Sequence, residues 1–256
     1  MSDCDVATTI DFRTIIREHV KNNADITVVY AKHNFTDKGI GSKASTILEV
    51  NSDKRVTSVM VKPDILGEVN RSLNIFVIDR RILEKVVNRF SAEGYASFDK
   101  QVLQQNKANY KIYGYEHKGY YVKIEDMMTY YDANMDLLNI ENKKQLFHNS
   151  APIYTKVKDS GPAKYKEGSH VKNSLVADGC IIEGTVENSI LFRGVKIAKG
   201  AIVRNCILMQ NTIIDENAEL HAVITDKRVT VGKNKLLTAS KTNALFIKKN
   251  QKIEDE

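Results

Sequence analysis

The chain has 256 residues, enough for two domains that each bury a core. Hydrophobic residues at 42% and charged residues at 27% are ordinary for a globular protein. No segment approaches the roughly 18 apolar residues of a membrane span, and Asp3 and Asp5 stand where a signal peptide carries positive charge, so the reading is a cytoplasmic chain with no membrane partner. The net charge of +6 falls mostly after residue 150 and forms no runs, which favours an anionic small molecule or partner over nucleic acid. Cys4, Cys180 and Cys206 are too scattered for a zinc site or a disulfide framework.

Residues 1–139 alternate strand and helix patterns. Asp11 is placed to cap a helix with Phe12, Ile15, Ile16 and Val20 on its inward face. Ile26–Tyr30 reads as a buried strand. Thr46–Val50 and Arg55–Met60 flank the polar turn Asn51–Lys54, as the arms of a hairpin do. Leu73–Ile78 is another buried strand, followed by a helix from Asp79 with Ile82, Leu83, Val86, Val87 and Phe90 inward. Tyr110–Tyr115 and Tyr120–Ile124 read as strands paired around Lys118-Gly119, and Asp126–Asn139 as a closing helix. The sum is an α/β domain with a mixed, Rossmann-like sheet. Such a domain normally begins with a strand and a Gly-rich loop that wraps phosphates. Here the first residues already read as a strand end, so the domain is expected to lack its N-terminal part.

Residues 140–165 read as a linker holding Pro152, Pro162 and the turn cluster Asp159-Ser160-Gly161-Pro162. The pattern changes over residues 166–256. Apolar residues recur at Val171, Val176, Ile182, Val186, Phe192, Ile197, Val203, Leu208, Ile214, Leu220, Ile224 and Val231, in steps that cluster at five and six. Small or turn-forming residues interleave, among them Gly179, Gly194, Gly200, Asn205 and Asn217. A six-residue period fits neither a helix nor an alternating strand. It fits a triangular coil in which each side points one aliphatic side chain inward, a left-handed parallel β-helix of hexapeptide repeats. Val176, Ile182, Ile197, Val203 and Ile214 are expected on its axis. A β-sandwich of short strands is the alternative, with longer and alternating spacing.

Asn173–Cys180 and Ser189–Val195 resemble the β-helix entry of the bacterial glucose-1-phosphate adenylyltransferases (ADP-glucose pyrophosphorylases). Tyr131–Leu138 resembles the helix that closes that family's catalytic domain. The resemblance implies a nucleotidyltransferase-like domain followed by the β-helix. Catalytic members transfer AMP from ATP to glucose 1-phosphate, with acidic residues holding Mg²⁺ against the charge that builds on the phosphates.

The resemblance can be carried over residue by residue. Asp5 corresponds to the family's first metal-binding aspartate, with changed flanks, and would be a vestigial metal ligand. Lys62-Pro63 matches Glu-Lys-Pro, whose lysine holds the sugar phosphate, with Val61 in place of the glutamate. Ser72–Phe76 resembles Ser-Met-Gly-Ile-Tyr, with Asn74 for glycine, and Ser97-Phe98-Asp99 resembles Asp-Phe-Gly. Lys62, Ser72, Phe98 and Tyr121 would then be remnants of a substrate pocket. Read without the resemblance, Asp5 is a polar residue at a strand end and Lys62 a surface lysine. The largest departure lies in Gly119–Glu125, where catalytic members read Gly-Tyr-Trp-x-Asp-Val-Gly. Lys123 stands where the second metal-binding aspartate is expected, and a carboxylate has become a cation.

These departures fall on the pocket, while the fold-determining segments remain. They imply no catalytic residues and no cofactor in this chain, with Mg²⁺ expected in catalytic relatives. The function expected is that of a regulatory, GlgD-type subunit in glycogen (ADP-glucose) synthesis. It would act with a catalytic subunit, associate with itself and respond to a sugar-phosphate effector. The alternatives are an active ADP-glucose pyrophosphorylase and a hexapeptide acyltransferase that uses His170 or His221 as a base. The second would call for an inserted loop, and none is evident between Val171 and Val231.

Overall fold

The structure is a computed structural model and describes residues 1–36, 45–94, 97–147, 152–154 and 157–254, without the side chain of Ser91. It divides into two compact units, Met1–Glu125 and Asp126–Glu256. Among the described residues no helix is long and apolar enough to cross a membrane.

The first unit is α/β, as the alternation of patterns predicts. Its strands are β1 (Val6–Thr8), β2 (Ile26–Phe35), β3 (Thr46–Val50), β4 (Val56–Val61), β5 (Gly67–Ile78), β6 (Ile112–Glu116) and β7 (Tyr121–Lys123). A five-stranded mixed sheet has the order β4-β3-β5-β2-β6, with β2 and β6 parallel and the other pairs antiparallel. The hairpin β3–β4 turns at Asn51, whose side-chain oxygen accepts from the backbone N–H of Asp53 and Arg55. Strands β6 and β7 do not pair with each other as expected. β6 runs parallel to β2, where Ile112 is buried, while β7 pairs antiparallel with β1. Register alone did not determine the partner, because a buried parallel neighbour offers β6 more apolar cover than a short edge strand does.

Helix α1 (Phe12–Lys21) begins at Asp11, whose carboxylate accepts from the Arg13 N–H. It covers one face of the sheet with Ile15, which packs with Val29, Ala31, Leu73 and Ile75. Phe12, Ile16 and Val20 are not inward, being 49%, 48% and 70% exposed. Helix α2 (Arg80–Glu93) runs from its cap Asp79 to the left-handed Gly94. Val86, Ile82 and Phe90 pack over the other face with Ile26, Val28 and Phe76, whereas Val87 is exposed.

The second unit begins with α3 (Met127–Asp136), closed by a reciprocal capping box between Asp126 and Thr129, and α4 (Ile140–Leu146). By packing, α3 belongs here and not with the first unit, which the sequence reading had extended to residue 139. Tyr131 is buried against Ile207 and Ile224, and its hydroxyl donates to the Asn205 carbonyl at 2.8 Å.

The rest of the unit is a parallel β-helix with three ladders of five, six and five strands. Ile182 pairs with Ile197, then with Ile214 and Val231, in steps of 15, 17 and 17 residues. Three positions define each side. The inward aliphatic residue is the first. The residue two before it is small and buried, as at Cys180, Val195, Ala201, Cys206, Thr212, Ala218 and Val229. The residue three before it turns the corner in the left-handed region, as at Gly179, Gly194, Asn188, Asn205, Asn211 and Asn217. Ile182, Ile197, Val203 and Ile214 lie on the axis, and Val176 packs against the same core.

On one side the expected register is off by a residue. Phe192 and Ile224 are not axial; Leu191, Leu208 and Thr225 form that column, while Ile190, Ile207 and Ile224 face outward. Outward Ile207 and Ile224 are nonetheless buried, because α3 lies over them. Buried on both faces, this side shows no alternation from which to read its direction. Thr225 is tolerated on the axis because its hydroxyl meets that of Thr212 at 3.0 Å.

Candidate functional site

Two polar regions stand out, one in each unit. In the first, antiparallel pairing sets Val6 of β1 opposite Lys123 of β7, which brings Asp5 beside the lysine. The Lys123 ammonium lies 3.8 Å from Asp5 Oδ2 and 3.6 Å from Glu125 Oε1, and its side chain is 2% exposed. Glu125 also holds Arg71, whose guanidinium is 2.6 Å away, and Arg71 Nε donates to Ser45 Oγ at 2.8 Å. Arg71 lies over the Phe35 ring, 5.5 Å from its centre. Two cations and two carboxylates thus neutralise one another, with Arg71, Lys123 and Glu125 enclosed and Asp5 partly open to water.

Around this cluster, burial shifts the neighbours. Tyr121 lies with its hydroxyl 3.1 Å from His33 Nδ1. Burial raises the Tyr121 phenol and lowers the His33 imidazole, and nearby Arg71 lowers His33 further. Burial also raises Asp99 against the hydrogen bond it accepts from Thr46, with Asp3 adding to the rise and Lys123 opposing it.

The expected site residues are brought together only in part. Asp5, Lys123 and Tyr121 share the β1–β7 region. Ser72 is fully buried, and its hydroxyl accepts from the Asn74 N–H at 3.1 Å. Asn74 adopts a left-handed backbone and donates from Nδ2 to Asp3 at 2.8 Å, so these polar groups satisfy each other. Phe98 packs on Phe76 at 5.1 Å, within the core. Lys62 is exposed just past β4, also with a left-handed backbone, and no described contact joins its side chain to the others.

These residues do not fit a divalent cation. Asp5 Oδ1 is buried without a hydrogen-bond partner, as a vestigial ligand would be. The charge beside it is an ammonium, however, and Glu125 is taken by Arg71. A unit charge about 4 Å from a dication costs roughly 8 kcal/mol at an effective dielectric near 20. Lys123 does not swing away, because it is enclosed.

Arg71, Ser45, His33 and Glu125 were missed by sequence reasoning. Glu125 had a signal. It replaces a glycine of the family pattern two residues after the aspartate that Lys123 replaces, just past the end of β7, so an acid appears close in sequence to the new cation. The lysine came with its own counter-ion.

The second region lies on the β-helix. A cleft of about 450 Å³ is lined by Lys158, Arg193, Lys227, Arg228, Gln210 and Asn211, with Ser160, Gly179 and Gly194, and no acid. Gln210 Oε1 is buried there without a partner. Arg193, Gln210 and Lys227 are one coil apart, as are Gly194, Asn211 and Arg228, so the coil pitch stacks cations that look scattered in sequence. Of the histidines considered as bases, His170 lies 4.0 Å from Glu187 on the coil surface. His221 is engaged at both nitrogens, with Asn205 Nδ2 at 3.0 Å from Nε2 and the Ala239 carbonyl at 3.1 Å from Nδ1. A longer excursion does occur in the last coil, between Leu236–Thr238 and Leu245–Ile247. His221 hydrogen-bonds into it and so has no nitrogen left for a proton transfer.

The comparisons with known proteins agree with this architecture. The family described as GlmU-like, C-terminal hexapeptide matches residues 161–242. The glycogen biosynthesis protein GlgD of Bacillus subtilis (strain 168) is 40% identical over 163 residues, covering 64% of this chain and 47% of that protein. GlgD of Geobacillus stearothermophilus is 33% identical over 194 residues, covering 76% and 46%. The glucose-1-phosphate adenylyltransferase of Clostridium perfringens (strain SM101 / Type A) is 29% identical over 213 residues, covering 80% and 53%. The chain is a relative of the GlgD and glucose-1-phosphate adenylyltransferase proteins. It spans about half the length of the curated relatives it matches. The GlgD and adenylyltransferase likenesses extend beyond the hexapeptide repeats, which acyltransferases share, and so favour the glycogen-synthesis branch of hexapeptide proteins.

Proposed function

We propose that this chain is a cytoplasmic, non-catalytic subunit of the glycogen (ADP-glucose) synthesis system. It would associate with itself and with a catalytic glucose-1-phosphate adenylyltransferase, and tune that partner's activity. The observation that carries the reading is the enclosed Lys123 ammonium between Asp5 and Glu125. In catalytic members the corresponding position supplies a metal carboxylate. Here a cation takes the metal's place beside Asp5. Nearby, Ser72, Asn74 and Asp3 hydrogen-bond to one another.

A regulatory role also needs a place for an effector. The acid-free cleft of Lys158, Arg193, Lys227 and Arg228 has the charge to hold a sugar phosphate.

The test is ADP-glucose synthesis by this chain, by a catalytic relative and by their mixture, with Mg²⁺ and with Mn²⁺. The chain alone should give no product, and the mixture should exceed the catalytic relative or change its response to sugar phosphates. Product from the chain alone at a rate typical of a catalytic relative overturns the reading. So does a mixture indistinguishable from the catalytic relative alone.

A further inference from the structure

Helix α3 covers one outward column of the β-helix only in part. Register sets Ile207, Ile224 and Phe246 in line on successive coils. Ile207 and Ile224 are fully buried against Tyr131, whereas Phe246 is 39% exposed. Phe246 lines a pocket of about 350 Å³ together with Met127 and Tyr130 of α3, Met209 of the β-helix and two carboxylates, Asp126 and Asp226.

The carboxylates keep capacity to accept. Asp126 uses Oδ1 to cap α3 at the Thr129 N–H, and Asp226 uses Oδ1 on the Lys227 N–H. Neither forms an ion pair among the described residues. Asp226 also stands close enough to the Tyr130 phenol to raise it, adding to the larger effect of burial and opposing the Asn134 hydrogen bond.

Aromatic and thioether surface beside two unpaired carboxylates sets the chemistry of an occupant. An anion is repelled, and a purely apolar group would take water from the carboxylates without replacing it. An ammonium is compact and strongly hydrated, and gains little from flat rings. A guanidinium is planar and weakly hydrated, stacks on aromatic rings and forks toward carboxylates, while its aliphatic stem covers apolar surface. Methionines adapt to such a side chain. The volume is at the small end for ligand cavities, and Met127, 41% exposed, carries apolar surface onward from it.

We propose that this pocket is the docking site for an arginine side chain of a partner polypeptide. The guanidinium takes the second oxygens of Asp126 and Asp226, and the stem covers Phe246 and Met209. The pocket would serve this purpose whether or not the chain acts in glycogen synthesis.

The experiment follows the methyl signals of Met127 and Met209 in the 256-residue chain, labelled with ¹³C-methionine, during titration with acetyl-Gly-Arg-Gly-amide. Both signals should move and saturate at low ionic strength, with a Kd on the order of 1 mM. The same peptide with citrulline, which keeps the shape and loses the charge, should bind at least about tenfold more weakly. Asp226→Asn should weaken the arginine peptide by about the same factor, while the methionines outside the pocket keep their positions. No saturation by about 20 mM, equal binding of the citrulline peptide or of a lysine peptide, or undiminished binding to the variant overturns the proposal. Tighter binding of agmatine, which carries the guanidinium without a peptide backbone, overturns it in favour of a small cation. A dimer of the chain that Asp226→Asn dissolves overturns it in favour of a second copy.

Discussion

The β-helix repeats one solution at every coil, while the α/β unit solves each position once. In the β-helix the same three roles recur three times per turn: a left-handed corner, a small buried residue and an axial aliphatic. A defect there is felt by two neighbours of the same kind. In the α/β unit, Arg71, Lys123, Glu125 and Asp5 form a single network with no copy elsewhere among the described residues. Repetition makes a region legible and robust. A single network is hard to read, and it fails as a whole when one member is removed.

The largest effect expected is in the repeated region, at its axis. Ile197→Asp places an unpaired charge in a column of aliphatics where Ile197 is 1% exposed. Its cost is on the order of 5 kcal/mol or more, comparable with the whole stability of a domain. Circular dichroism should show the β-helix transition lost. Ile213→Asp should keep it, since that neighbour faces outward beside Lys196. Loss in both variants would mean that the inward register carries no special weight.

The next effect belongs to the single network. Lys123→Met leaves the partly exposed Asp5 without its cation and Glu125 with Arg71 alone, which should cost about 1–3 kcal/mol in urea unfolding. On the coil surface, Arg204 pairs with Glu187 at 2.9 Å with both side chains partly exposed. Arg204→Met should change stability by no more than about 0.5 kcal/mol. Similar costs for the two would erase the contrast between network and ladder.

The same contrast explains what could be read in advance. The β-helix was visible because its period has no competitor. The one axial column misread, at Phe192 and Ile224, is the side where α3 hides the polar face that would have marked direction. In the α/β unit, elements were visible but partners were not. The β6–β7 pairing failed because local alternation does not name a neighbour. Lys123 was legible as a departure, but the network it joins runs through Glu125 to Arg71 and Ser45, which lie far away in sequence and carry no pattern. Arg193 and Lys227, two coils apart, could be placed on one cleft only once the coil length was known.

Acid should separate the units. Among the described residues, the three histidines whose charged form burial disfavours, His19, His33 and His117, all lie in the first unit. Between their lowered folded pKa and the ordinary value near 6.5, the unfolded chain binds more protons. Their contribution is intact above that value and is lost as pH falls through the window below it. Asp99 acts oppositely, because burial raises its pKa and its protonation on acidification relieves a cost. On going from pH 7.5 to 5.5 the histidine contribution is the one entered from the ordinary value near 6.5, so exchange protection should fall more in residues 1–125 than in the β-helix. His33→Gln with His117→Gln should shrink that difference; an undiminished difference would assign it to other groups.

The smallest effect tests the corner rule itself. Asn173, Asn188 and Asn205 occupy successive corners of one edge, all left-handed, and Ala222 follows them with φ 54°. Alanine there carries a left-handed penalty of roughly 1–2 kcal/mol, which glycine does not. Ala222 is also fully buried, so Ala222→Gly removes a methyl group worth about 0.8 kcal/mol of burial and adds about 0.5–1 kcal/mol of glycine chain entropy. These costs nearly cancel the relieved strain, and the variant should unfold within about 0.5 kcal/mol of the parent. Ala218 is equally buried but sits one place after its corner, with an ordinary backbone. Ala218→Gly loses the methyl and adds the chain entropy of glycine with no strain to relieve, a cost of about 1–2 kcal/mol. The gap between two chemically identical substitutions four residues apart measures the left-handed corner directly. If both cost the same, the corner is not strained at Ala222, and the asparagines that precede it are there for their side-chain contacts, such as the 2.8 Å bond from Asn173 to Asn188, and not for their backbone.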